Sequence, residues 1–253
     1  MQIALLITTY DRPGALNLVL ASVAKQSRLP DEVIICDDGS DYITSEIVAS
    51  WSDRLPVCHA WCPDMKFRAA LTRNLGILKS AADLLVFVDG DCLLPPSFVA
   101  KHLKLAERGF LVSGGRHLLS DEQTKSVLSH SLAPSAIFDN WKFSSWPLGP
   151  LRDLSPQNWE SVRTCNLSVH REDALRIAGL DESYVGWGRE DSDFVVRLIH
   201  SGVKIRSGRL AACVAHLYHP ESTRDRLSLN DQRFREVLKN PNHVMATSSI
   251  LSA

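Results

Sequence analysis

The stretch that most constrains this chain is residues 84–91, LLVFVDGD. Leu84 to Val88 are five apolar residues in a row, too few for a helix and suited to a strand buried on both faces of a parallel sheet. The run stops on two carboxylates separated by a glycine. Side chains two apart on an extended backbone point the same way, so Asp89 and Asp91 can converge on one point. Two hard oxygen ligands at the carboxyl end of a central strand can hold Mg²⁺ or Mn²⁺ and leave positions open for phosphate oxygens. That edge is also where α/β sheets bind ligands. A strand ending in a polar turn accounts for the same residues without chemistry, so the rest of the chain has to decide.

Upstream, residues 3–7 are a continuous apolar run ending at TTYDRPG, and Leu16, Val19, Leu20 and Val23 follow at helical spacing behind Pro13. Leu29-Pro30 breaks the pattern, and residues 33–36 read as a second strand that ends on Asp37-Asp38-Gly39-Ser40. A parallel sheet demands such a βαβ opening. DDGS suits a turn capping a helix over 44–51 as well as it suits a binding site. Position favours the site, because strand ends at 8–10, 37–38 and 89–91 should line one edge of the sheet. Residues 67–82 read as a helix with Phe67, Ala70, Leu71, Leu75 and Leu78 inward and Arg68, Arg73 and Asn74 off that stripe. Those arginines are either a solvated face or partners for a diphosphate and the strand aspartates. A helix over 97–108 and a strand over 110–113 follow. From 120 to 160, proline, serine and tryptophan accumulate (Trp141, Trp146, Trp159), a composition that fits a lid, a binding loop or a partly ordered insertion.

Order returns with a strand over 164–169 and a helix over 172–178 that stops at Gly179. GWGREDSD, residues 186–193, then leads into an amphipathic helix over 194–200. Acids at a helix N-terminus are favourable as plain capping, but capping does not call for a tryptophan between two glycines. Glycine lets the backbone approach a ligand, and Trp187 offers a flat apolar platform. Gly-x-Gly here lacks a third glycine and a preceding strand, so a dinucleotide fingerprint fails. Ile205 and residues 210–215 read as two late strands ending at His216-Leu217-Tyr218-His219. A lone histidine is more often structural than a ligand. Two of them three apart, in a chain that carries Asp-x-Asp, become candidates for a metal, since imidazole suits Mn²⁺. A helix near 230–238 and a frayed last dozen residues complete the reading.

Composition excludes more than it selects. A formal net charge of −1 gives no bulk attraction to nucleic acid or anionic membrane. The six cysteines contain no Cys-x-x-Cys pair and read as thiols in a reducing compartment. No window approaches the ~20 apolar residues of a membrane span, and the N-terminus lacks the basic region of a signal peptide. The expectation is a soluble cytoplasmic protein, at most peripheral at the inner face of the cytoplasmic membrane.

In this order, ITTYDRP, DDGS, RAALTRNLGI, VFVDGDCLLPP and CNLSVHREDALRIAGLDE resemble the family 2 inverting glycosyltransferases of the GT-A fold. GWGREDSDFVVRL resembles the acceptor and base motif shared by β-1,4-galactosyltransferases and bacterial chondroitin-type polymerases. The resemblance runs over about residues 3–220, and the 120–160 segment, where acceptor specificity would reside, matches neither. It implies a single α/β domain with a Rossmann-like, mostly parallel central sheet flanked by helices. A nucleotide-sugar-binding half would span 1–115, an acceptor-binding and catalytic half 116–220, and a C-terminal helix and tail 221–253. The implied reaction moves a hexose or N-acetylhexosamine from a UDP-sugar to a saccharide or glycolipid acceptor through a β-bond, in bacterial surface polysaccharide or lipopolysaccharide synthesis.

Carried over residue by residue, the resemblance puts Thr8, Tyr10 and Asp38 on the uracil and ribose, with Thr9 also in the donor site. Arg68, Arg73, Asp89 and Gly90 belong to the rest of the donor site, with Arg73 near the phosphates or bracing the acidic motif. Asp91, supported by Asp89, would bind Mn²⁺ or Mg²⁺, with His216 ahead of His219 as the further protein ligand. Asp191 would be the catalytic base, and Glu190, Trp187 and Gly188 would position the acceptor. The competing readings are a sugar nucleotidyltransferase and a catalytically inactive nucleotide-sugar-binding module. The first shares the sheet edge and the metal acids but has no use for Gly-Trp-Gly beside a base.

Overall fold

Strands β1 (Ile3–Thr9) and β4 (Leu84–Asp89) are apolar almost throughout because each lies between two helical layers. Alternate side chains divide between those layers. Ile3, Leu5, Ile7, Val86 and Val88 face one core with helix α1 (Pro13–Val23). Ala4, Leu6, Leu85 and Phe87 face the other with α3 (Ala69–Lys79) and α7 (Glu190–His200). Phe87 meets Phe194 edge to face at 5.8 Å and is fully buried, so truncation to alanine should cost about 3–5 kcal/mol. The computed structural model describes residues 1–139, 141, 158–220 and 223–252. Trp146 and the rest of 142–157, in the irregular segment, lie outside the described residues.

The remaining elements are β2 (Glu32–Asp37), α2 (Tyr42–Ala49), β3 (Val57–Trp61), β5 (Cys92–Leu93), α4 (Phe98–Leu105), β6 (Phe110–Leu118) and α5 (Asp121–Leu128). After the irregular segment come β7 (Asn166–His170), α6 (Arg171–Arg176), β8 (Lys204–His216) and α8 (Leu227–Lys239). The eight strands form one sheet in the order β3-β2-β1-β4-β7-β6-β8-β5. The first four run parallel, β7 is antiparallel to both β4 and β6, β6 and β8 are parallel, and β5 is antiparallel to β8. The α/β architecture is as expected, with a mixed sheet.

Four local expectations are corrected. The edge strand β3 was not anticipated, because VCHAW alternates too weakly to stand out. The two late strands are one, β8, interrupted by a bulge. The tail does not fray: Ala246 N–H donates to Ile177 O, and Glu182 N–H donates to Ser248 O. The inner face of α3 is rotated from the apolar stripe. Leu78 is 55% exposed, while Ala70, Arg73, Asn74 and Ile77 are buried. The polar pair faces inward because it has partners there, Asn74 donating to Leu180 O at 2.8 Å and Arg73 reaching two carboxylates of the site.

Candidate active site

Sheet register assembles the first half of the site. Thr8 lies beside Asp89 on β4 and beside Cys36 on β2, and Thr9 lies beside Asp37. The expected strand ends therefore share one edge and open onto a cleft of about 670 Å³. Thr8, Thr9, Tyr10, Asp38, Arg73, Asp89, Gly90, Asp91, Trp187, His216 and His219 all line it. Arg68 does not: its backbone N–H donates to Asp38 Oδ2 at 2.8 Å, at the start of α3. Thr72 Oγ1 donates to the other Asp38 oxygen at 3.0 Å. Burial pushes the Asp38 carboxyl up, against those bonds. Asp37, by contrast, is fully buried and held by His59 at 2.8 Å and by Ser40 N–H, which makes it a structural acid. The hydroxyls of Thr8 and Thr9 are buried with no hydrogen-bond partner among the described residues.

Arg12 and two histidines gather around Asp91. Pairing of Cys92 with His216 draws the end of β8 alongside, and Leu217 N–H donates to Asp91 O at 2.9 Å. His216 Nε2 and His219 Nε2 each lie 3.5 Å from an Asp91 oxygen. One ligand atom from each of Asp91, His216 and His219 falls within 4.8 Å of the others. A hard carboxylate with two imidazoles suits Mn²⁺ or Mg²⁺ less selectively than an all-oxygen set and fits Mn²⁺ better. His216 is buried and His219 half-exposed. Arg12, which was not anticipated, contacts Asp91 Oδ2 at 2.5 Å from the turn after β1, where Asp11 takes a left-handed φ of 43°.

The second half comes from the N-terminus of α7. Gly186, Gly188 and Arg189 have φ of 79°, 104° and 78°, a run of left-handed backbone that presents Trp187 to solvent. For Arg189 this conformation costs about 1–2 kcal/mol. Its guanidinium is tied to Asp231 of α8 at 2.5 Å. Glu190 and Asp191 then face a second cleft of about 410 Å³ with Trp187, Gly188, Arg73 and Asp89. The last acid of the motif is different: Asp193 is fully buried and paired with Arg197 at 2.6 Å.

Arg73 joins the halves. Its Nη2 lies 3.3 Å from Asp89 Oδ1 and its Nη1 lies 3.4 Å from Glu190 Oε1. Burial alone would lower the Arg73 pKa, but Asp89 and Glu190 hold it raised. Burial, with Asp91 adding to it and Arg73 opposing it, pushes Asp89 up. Burial and then the neighbouring Asp191 raise Glu190 from its ordinary value to about 7. Glu190 Oε2 is buried without a described partner. The two clefts share Phe67, Arg73, Asp89, Arg116, Trp187 and Arg224, so they are continuous.

This arrangement can neutralise a diphosphate at one end and move a proton at the other. The family model described as glycosyl transferase family 2 matches residues 4–176, two thirds of the chain, including the strand ends at 8–10, 37–38 and 89–91. The chain belongs to glycosyl transferase family 2. A second model, described as the N-terminal domain of galactosyltransferase, matches residues 155–220, which hold the α7 acids and both histidines.

Relatives of the family member described here include validoxylamine A glucosyltransferase of Streptomyces hygroscopicus subsp. limoneus, 28% identical over 94% of this chain and 57% of that protein. Chondroitin synthase of Escherichia coli is 24% identical over 81% of this chain and 33% of its own length. The chain thus spans less than two thirds of the curated relatives it matches. S. aureus TarS 1-349 superposes with a TM-score of 0.65 at 13% identity, over 95% of this chain and 66% of that one. A mannosyltransferase of Pyrobaculum calidifontis, solved with GDP-Man and Mn²⁺, gives 0.64 at 16%, over 94% and 64%. The fold is that of the GT-A glycosyltransferases.

Against this family frame, sequence reasoning missed Arg12 and the reach of Arg73 to Glu190, whereas the contact of Arg73 with the strand aspartate was among its expectations. Arg12 carried no signal beyond its place in TTYDRPG. Arg73 did carry one, since an arginine three residues after Ala70 and four before Ile77 shares their helical face. Among the described residues, no helix is long and apolar enough to cross a membrane.

Proposed function

We propose that the chain is a metal-dependent inverting glycosyltransferase. It takes a hexose or N-acetylhexosamine from a UDP-sugar and forms a β-glycosidic bond to a saccharide or glycolipid acceptor, in bacterial surface polysaccharide or lipopolysaccharide synthesis. The observation that carries this reading is one continuous cleft with an acid pair at each end and Arg73 between them. The TarS structures with UDP and UDP-GlcNAc, and the mannosyltransferase with GDP-Man and Mn²⁺, support nucleotide-sugar donors for this fold. Family membership argues against the nucleotidyltransferase.

Thr8, Thr9, Tyr10 and Asp38 border the nucleoside end of the cleft, and the partnerless hydroxyls of Thr8 and Thr9 offer hydrogen bonds there. Asp91 and His216, with Asp89 in support and His219 beside them, would hold Mn²⁺ or Mg²⁺. Bound there, the ion supplies Lewis-acid neutralisation of the leaving diphosphate. Trp187 and Gly188 present the acceptor sugar beside Glu190. Asp191 takes the proton of the acceptor hydroxyl as its oxygen bonds to the anomeric carbon, and the bond to the diphosphate breaks with its electron pair on UDP. A single displacement at that carbon inverts its configuration. One observation favours a second reading, with Glu190 as the base: its pKa of about 7 lies where proton transfer is most efficient.

The test is a panel of UDP-sugars incubated with the protein and Mn²⁺, scored by UDP release and then by transfer to short saccharides. One donor should react, excess EDTA should stop it, and the product should show β-anomeric proton coupling. Full activity in EDTA, or an α-linked product from an α-linked donor, would sink the proposal.

A further inference from the structure

Strand β8 does not pair evenly with β6. Gly114 is opposite Gly208 and Gly115 is opposite Cys213, so residues 209–212 are thrown out of the ladder. The bulge is held from below. Asn166, 2% exposed, donates from Nδ2 to Gly115 O at 2.7 Å and to Ala212 O at 2.8 Å. Its Oδ1 lies 3.0 Å from the buried His102 ring. A Cβ on Gly115 would sit 2.6 Å from Arg209 O, so the bulge closes down only over glycine. Bulges beside sites re-aim side chains, and the side chain aimed here is Arg209.

Arg209 lines a third cleft of about 460 Å³ together with Arg116 and Arg163. That cleft shares Arg116, Arg163 and Cys165 with the cleft of Glu190 and Asp191, which therefore lies between it and the donor edge. Two of the arginines are fixed through carbonyls. Arg163 Nη1 donates to Glu160 O and Val162 O at 2.7 Å, and Arg209 Nη2 donates to Ser161 O at 3.2 Å. Among the described residues Arg116 makes a long contact to Cys165 Sγ, at 4.0 Å. Carbonyls orient a guanidinium without neutralising it. Among the described residues Glu160 is the one carboxylate lining this cleft, and it pairs with none of the three. Three clustered guanidinium groups, two of them held in place, in a chain of net charge −1 are a local field and not a bulk property.

We propose that this cleft binds an anionic group, a carboxylate or a phosphate, on the acceptor saccharide, beyond the sugar that reacts. Arginine forks match both groups in bidentate geometry. The proposal rests on the reading that the middle cleft takes a saccharide acceptor.

The test uses the full chain with UDP and Mn²⁺ and three matched probes: methyl β-cellobioside, its 6′-carboxylate and its 6′-phosphate. Affinities are read by isothermal titration or saturation-transfer NMR. At least one charged probe should bind about tenfold more tightly than the neutral one, and which of them does so identifies the group. Arg163→Gln and Arg209→Gln should each shrink that ratio towards one with UDP affinity unchanged, and Arg209→Lys should keep part of it. Equal binding of charged and neutral probes, no binding of any charged probe, or a ratio that survives both glutamine variants would overturn the proposal. Failure of UDP to bind the wild-type chain would count instead against the nucleotide-sugar reading.

Discussion

Two pairs of acids about a hundred residues apart in sequence meet in one cleft, and they are built in opposite ways. Asp89 and Asp91 end a strand, and the corner around Asp91 collects Arg12, His216 and His219. Glu190 and Asp191 begin a helix, and the arginine that reaches Glu190, Arg73, is shared with Asp89. The first gathers a carboxylate and two imidazoles whose ligand atoms lie within 4.8 Å of one another, a donor set that suits a cation. The second buries an acid and raises Glu190 to about 7, which suits the movement of a proton. Acids of one type therefore meet different chemistry because of what is packed against them.

Breaking the comparison at the proton end should have the largest effect. Asp191→Asn keeps the shape of the side chain and removes its basicity, so transfer should fall by about 10²–10⁴-fold in a single-turnover assay. Glu190→Gln falling that far, with Asp191→Asn nearly active, would exchange their roles. At the metal end, His216→Ala should raise the Mn²⁺ concentration for half activity by about 10–100-fold, and the half-exposed His219 should matter less. The reverse ranking would move the ligand to His219. Arg73→Lys keeps one charge but loses the fork that spans two carboxylates. Donor affinity and transfer rate should then both decline, by about tenfold each. A change in only one would show that the ends are not coupled through Arg73.

The smallest effect is on stability. Between about 4.5 and about 7 the folded Glu190 keeps a proton that the unfolded chain has lost. Wild-type stability from this group should therefore fall as pH rises through that window and level off above it. Glu190→Gln should remove that slope, a difference on the order of 1–3 kcal/mol between urea unfolding at pH 5 and at pH 8. An unchanged slope in the variant would place the titrating group elsewhere.

The donor edge was legible because it is made of strand ends, and continuous apolar runs announce such strands without knowledge of their neighbours. The α7 acids were legible because Gly-Trp-Gly has no cheap structural explanation. What could not be read depends on partners distant in sequence. Arg73 and Asn74 overrode the apolar stripe of α3 because carboxylates and carbonyls lay on the far side of that helix. The β8 bulge disguised one strand as two, since its pairing is set by Gly114 and Gly115 nearly a hundred residues earlier. Arg12 had no periodicity to betray it. The tail was misjudged because its anchors, Ile177 O and Glu182, lie in another part of the chain.

The separation of the two acid pairs can be measured without knowing the donor sugar or the acceptor. UDP is titrated calorimetrically, with and without Mn²⁺, into Asp91→Ala and Asp191→Asn side by side. The account predicts that Asp191→Asn binds UDP with Mn²⁺ as wild type does, while Asp91→Ala loses the metal-dependent part of its affinity. An Asp91→Ala variant that keeps the Mn²⁺ dependence, or an Asp191→Asn variant that loses it, would contradict the division of labour.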